Sequence, residues 1–239
     1  MSRSFAVFDI DGTLIRWQLY HAIVDQLAKQ KLLGPNAHET LRSVRATWKR
    51  REHPEAFTSY ENTLIEIFEA SMPEPATFDQ AVKEVIAEYG DQVYTYTRDL
   101  VKELKSKGYV LIAISGSHEE LLDHIAQKYG FDIWKGTKYL RKGDTFTGQK
   151  VVPSQDKKSV LQTIIKEHNL SIKHSVGIGD SLSDAVFLEM VENPIAFNPN
   201  NELLEVAKKR GWKIVVERKN VIYELEAKNG NYILAQTKS

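Results

Sequence analysis

A chain of 239 residues, 42% hydrophobic and 27% charged, can bury a core without disulfide staples, either as one large domain or as a core with a smaller insert. Its 32 Lys plus Arg balance 32 Asp plus Glu, which argues against nucleic-acid and membrane partners, and the absence of cysteine excludes disulfides, thiol catalysis and thiolate metal sites. No apolar run reaches the ~20 residues of a membrane span, and Met-Ser-Arg-Ser leads straight into apolar residues with no signal-peptide pattern, so a cytoplasmic protein is expected.

Residues 5–8 (Phe-Ala-Val-Phe) form a continuous apolar run, too short for a helix and suited to a strand buried on both faces. The run ends in Asp9 and Asp11, then Gly12, which permits a sharp turn. Two like charges at the end of a buried strand are costly unless a cation neutralises them. Helical spacing follows for about eighty residues. Segments 17–33 and 55–71 carry apolar stripes, the segment 36–52 between them is basic and ends before Pro54, and Thr77 with Gln80 is read as a capping box opening a fourth helix that stops at Gly90.

From residue 96 strands and helices alternate. A helix over 96–107 feeds a strand over 109–114, which ends in Ser115-Gly116-Ser117. Ser117 with Glu120 is read as a second capping box, and His118 as a surface residue of the helix behind it. A short strand over 131–134, a Gly-punctuated β-excursion over 139–150, a helix opened by Lys157 and a buried strand over 174–178 come next. Asp180 and Asp184, four apart, are read as neighbours on one side of a helical turn. Short strands over 194–197 and 212–216 flank a helix over 201–210, and a hairpin over 221–235 closes the pattern. The expected fold is α/β: a doubly wound, mainly parallel, Rossmann-like core (1–15 and 96–239) with an inserted all-helical cap (16–95).

Four segments thus supply Asp9 with Asp11, Ser115 with Gly116, Lys157 (or, in an alternative register, Lys158), and Asp180 with Asp184. In order and spacing, with Lys157 preceding Asp180 by 23 residues, they resemble the motifs of the haloacid dehalogenase-like superfamily, in the branch that contains the phosphoserine phosphatases. Asp9-Ile10-Asp11-Gly12-Thr13-Leu14 resembles its first motif, and the segments 114–117, 143–148 and 156–161 also look like that branch.

The resemblance implies a Mg²⁺-dependent phosphomonoesterase acting on a small soluble phosphate ester. Asp9 would be the nucleophile, giving an aspartyl-phosphate, and Asp11 the acid and base. Lys157 would neutralise phosphoryl charge while Ser115 and Gly116 hold its oxygens. Mg²⁺ would be held by Asp9, the Asp11 carbonyl and Asp180, with Asp184 ligating or orienting. A phosphotransferase or phosphomutase on the same scaffold, a non-catalytic phospho-ligand binder and a signalling receiver are rivals; Asp11 and the large insert argue against the receiver. Substrate choice is assigned to the insert, with Arg16, Trp17, Gln18 and His21 as candidates beside the nucleophile loop. Gln18 stands where that branch carries a Glu for the substrate ammonium, and residues 57–70 contain no Arg for its carboxylate, which speaks against phosphoserine. The run Trp48-Lys49-Arg50-Arg51 is read as a solvated helix face, with recognition of a second anionic or planar substrate group as the functional alternative.

Overall fold

In the computed structural model, which describes residues 2–53 and 55–238, the first strand is the middle of the molecule. Met1, Pro54 and Ser239 lie outside the described residues, including the proline expected to stop the second helix. Strand β1 (Arg3–Phe8) turns alternate residues to opposite sides, so Phe5 and Val7 enter one apolar cluster and Ala6 and Phe8 the other. That double burial explains its unbroken hydrophobic run.

Four helices follow: α1 (Leu19–Lys29), α2 (Ala37–Lys49), α3 (Ala56–Ala70) and α4 (Pro75–Tyr89). Helix α4 starts three residues earlier than the capping box predicts, because Pro75 occupies its first turn after Glu74; Gln80 reaches forward to Glu84. The chain returns beside its exit. Ile15 bridges Val93, Arg16 N–H donates to the Gln92 carbonyl (2.7 Å) and Tyr94 N–H to that of Leu14 (3.0 Å).

Then come α5 (Thr95–Ser106), β2 (Val110–His118), α6 (Glu119–Tyr129), and the antiparallel pair β3 (Ile133–Lys142) and β4 (Thr145–Val151). A 3₁₀ turn leads into α7 (Lys157–Glu167), followed by β5 (Leu170–Gly179), a second 3₁₀ turn (Leu182–Asp184) and α8 (Ala185–Leu188). Last are β6 (Asn193–Phe197), α9 (Asn201–Arg210), β7 (Lys213–Arg218), β8 (Val221–Lys228) and β9 (Asn231–Lys238).

The nine strands among the described residues form one sheet, ordered β4-β3-β2-β1-β5-β6-β7-β8-β9. Pairing is parallel from β3 to β7 and antiparallel at both flanks. Strand order reverses at β1, whose C-terminal end is therefore the switch point where open α/β sheets bind ligands. The polar excursion expected over 139–150 belongs to the β3–β4 hairpin, which joins the main sheet. Among the described residues no helix is long and apolar enough to cross a membrane.

Candidate active site

Asp9 is the first residue past β1, and its N–H still donates to the Ile178 carbonyl of β5 (3.0 Å). Gly12 turns the chain at φ +83°, and a Cβ there would overlap the Asp180 carboxylate, so turn and neighbour both demand glycine. Lys157, the first residue of α7, is 3% exposed, and its Nζ donates to Asp9 Oδ1 and to Asp184 Oδ1, each at 2.7 Å. Asp156 caps that helix by accepting from the Ser159 N–H (3.0 Å), which leaves Lys158 outside on an exposed position.

Asp180 and Asp184 are not stacked on one helical turn. Asp180 precedes the 3₁₀ turn, Ser181 caps it, and Asp184 closes it from within. Asp184 Oδ2 accepts the N–H groups of Asp180 (3.1 Å) and Ser181 (3.0 Å) and the Ser181 hydroxyl (3.0 Å). Both of its oxygens are thus engaged within the protein. Carboxylate oxygens of Asp9, Asp180 and Asp184 lie within 4.8 Å of one another.

Asp11 faces the other way. Its Oδ2 accepts the Ser115 hydroxyl (2.5 Å) and its Oδ1 the Leu19 N–H, at the start of α1 (2.6 Å). Ser115 Oγ in turn accepts the Ser117 N–H (2.9 Å), while the exposed Gly116 offers its carbonyl to Thr137 Oγ1 (2.7 Å). Ser117 caps no helix. His118 takes the N-cap position of α6 without a side-chain bond, and the Ser117 hydroxyl accepts the Tyr20 N–H of α1 (2.9 Å). Nor is His118 a surface residue; it is 1% exposed.

Burial pushes the Asp9 carboxyl up to about 7; Lys157 opposes the rise, and Asp184 and Asp11 add to it. Asp180 is raised well above the usual carboxylate range, by burial first and then by Asp9 and Asp184. Burial also works against the Lys157 charge, yet Asp184 and Asp9 outweigh it and hold the ammonium above its ordinary value. Three clustered carboxylates, Asp9, Asp180 and Asp184, are therefore met by the one ammonium of Lys157. An all-oxygen donor set with this surplus of negative charge fits a hard divalent cation of the Mg²⁺ type.

Of the four specificity candidates, Gln18 comes up against the carboxylates: its Nε2 is 3.3 Å from the point a Cβ on Gly12 would take, beside Asp180. Arg16 is exposed, its guanidinium 5.2 Å above the Tyr94 ring, and Trp17 stacks on Tyr89 (6.0 Å). His21 is buried within the insert between Tyr60, Phe57 and Trp48, with Glu61 3.8 Å away. Lys49, Arg50 and Arg51 of the basic run are exposed, as a solvated face requires; the half-buried Trp48 stacks on Tyr60 (5.4 Å) beneath Lys49 (4.3 Å), and Arg50 pairs with Glu52. Thr13 lends its carbonyl to Thr97 Oγ1 (2.9 Å), and its own hydroxyl is buried without a hydrogen-bond partner. Sequence reasoning missed the α1 amides and Ser181. Each acts through a backbone or capping bond that its residue type does not announce.

The family model described as "haloacid dehalogenase-like hydrolase" matches residues 6–189. The chain is similar to a phosphoserine phosphatase of Archaeoglobus fulgidus, with 24% identity over 84% of this chain and 54% of that one. It spans about half the length of that relative. It is also similar to a histidinol-phosphatase of Neisseria meningitidis serogroup C, with 25% identity over 89% of this chain and 98% of that one. Among solved structures, a protein of unknown function from Bordetella pertussis Tohama I shares the fold, with a TM-score of 0.72 and 21% identity over 90% of this chain and 98% of that one.

Proposed function

The chain belongs to the haloacid dehalogenase-like hydrolases and is phosphoserine phosphatase-like, and from that premise we propose that it hydrolyses a small soluble phosphate monoester through an aspartyl-phosphate on Asp9. The observation that carries the reading is the convergence of Asp9, Lys157, Asp184 and Asp180 at the end of β1, with Asp11 and Ser115 beside them.

Asp9 attacks phosphorus as the bond to the leaving oxygen breaks, and Asp11 gives its proton to that oxygen. Asp11 then takes a proton from water, which attacks the aspartyl-phosphate and returns phosphate and the free Asp9 carboxylate. Ser115 and Gly116 hold phosphoryl oxygens, and Lys157 offsets charge gathering on the phosphoryl group. Asp9, Asp180 and the Asp11 carbonyl would hold Mg²⁺, which supplies the positive charge that lets an anionic ester approach a carboxylate. Asp184, saturated by Lys157 and two backbone amides, orients this set rather than ligating. Residues 16–95 act as the cap over the core, hinged at the paired crossings Ile15 and Val93. The two relatives' names support a small phosphate ester and differ on which one.

A panel of phosphate esters, assayed with Mg²⁺ and with EDTA, tests this. Turnover of at least one ester is expected, lost in EDTA and in Asp9→Asn by about 10³-fold or more. Mg²⁺-independent hydrolysis by purified Asp9→Asn protein would overturn the mechanism, and transfer to an added alcohol in place of water would mark a phosphotransferase.

A further inference from the structure

His118 ends β2, directly after Ser115–Ser117, and is enclosed by rings from four elements. Tyr20 of α1 stacks on it almost parallel (4.9 Å, 8°), Phe68 of α3 (5.0 Å) and Phe78 of α4 (4.9 Å) meet it edge-on, and Tyr139 of β3 lies at 5.2 Å. The insert thus closes on the core around one imidazole. Its Nε2 is buried without a hydrogen-bond partner, and burial, with Arg141 nearby, lowers its pKa to about 3, so the ring is neutral and moves no proton.

Tyr20 is where this packing reaches the chemistry. It is the second residue of α1, and its N–H donates to Ser117 Oγ (2.9 Å) while the preceding N–H, of Leu19, donates to Asp11 Oδ1 (2.6 Å). These are first-turn amides with no partner inside their helix. Ser117 N–H continues the chain to Ser115 Oγ (2.9 Å), and Ser115 to Asp11 (2.5 Å). Moving the start of α1 by an ångström would release both amide bonds at once, and the stack of Tyr20 on His118 is what anchors that start to the core.

We propose that His118 and Tyr20 form a positioning pair: their stacked rings fix where α1 begins, and the first two amides of that helix then set the phosphate-binding end of β2 and Asp11. This rests on the phosphate reading of Ser115 and Gly116 given above. Neither ring touches the reacting groups. Closing the insert and shaping the phosphate site are then one event.

The test uses His118→Ala, His118→Phe, Tyr20→Ala and the double alanine variant in the full chain. Activity on an aryl phosphate with Mg²⁺, inhibition by inorganic phosphate, and amide exchange of metal-free protein over residues 17–22 and 115–120 are measured. Either alanine variant should lose about 10- to 100-fold in kcat/KM, weaken phosphate inhibition and lose exchange protection in both segments together. His118→Phe, which keeps a flat ring in the box, should restore all three, and the double variant should be no worse than the poorer single one. A folded His118→Ala protein with unchanged phosphate inhibition and exchange would overturn the proposal, as would additive alanine effects. A well-folded His118→Phe protein as poor as His118→Ala would show that the imidazole acts chemically, which also overturns it. A wild-type protein inert to every phosphate ester sinks the phosphatase reading instead, and the exchange measurement still decides the positioning one.

Discussion

Lys157 is the residue on which the charge balance of the site turns. Replacing it with Met leaves Asp9 and Asp184 buried without their counter-ion, which is expected to destabilise the metal-free protein by about 3–5 kcal/mol in urea unfolding. The same variant should lose about 10²- to 10³-fold in turnover, and added Mg²⁺ should restore stability more than activity. Asp9 makes a separate prediction about pH. In the folded protein its carboxyl keeps a proton up to about 7, against 3.8 as its ordinary value. The stabilisation this confers is complete below 3.8 and is lost as pH rises through 7, so metal-free protein should melt lower at pH 8 than at pH 5.5. Asp180, raised in the same direction, adds to this slope, so Asp9→Asn should reduce it and saturating Mg²⁺ should flatten it in thermal scans. Asp9 and Asp11 were legible in the sequence because two carboxylates behind an apolar strand violate the usual partition of charge. His118 was not, because a polar residue beside a turn is ordinarily exposed, and its ring neighbours come from segments up to a hundred residues away.

Among the elements, α5 shows how a helix start can be capped from a distance. Its own N-cap residue, Tyr94, makes no side-chain cap bond; instead Glu217 of β7 accepts the N–H groups of Thr95 (3.1 Å) and Tyr96 (2.9 Å). Glu217→Ala should cost about 1–2 kcal/mol. At this chain length that corresponds to a melting temperature lower by roughly 2–8 °C in calorimetry. Because Thr97 of the same helix holds the Thr13 carbonyl, a small loss of activity should accompany the change. Periodicity located the long helices and strands, since an apolar stripe is a local property. It misjudged starts where something other than a side-chain cap fixes them: Pro75 for α4 and His118 for α6. The Asp180–Asp184 spacing was read as a helical neighbour pair, but a four-residue interval also suits a turn that folds its last carboxylate back onto its first amides.

Across the molecule, the β3–β4 hairpin ties insert to core. Arg141 forks onto Asp79 of α4 (2.9 and 2.6 Å) and reaches Glu120 of α6 (2.7 Å), while Lys150 and Tyr139 both engage Glu69 of α3. These groups are partly solvated, so Arg141→Ala should cost only about 1 kcal/mol. Its signature should be regional: faster amide exchange in α4 with the central strands unaffected. A mainly parallel sheet was legible from the alternation of strands and helices, but the order of its strands was not read, and these ion pairs depend on a docking angle that no local pattern encodes. The central place of β1 has a consequence for biosynthesis. The strand that leads into Asp9 leaves the ribosome before either neighbour exists; β2 begins at residue 110 and β5 at residue 170. Until about half of the chain has been translated this short, sticky segment waits unpaired on both edges, and one edge stays open until β5 emerges, so its long-range pairings are expected to form slowly.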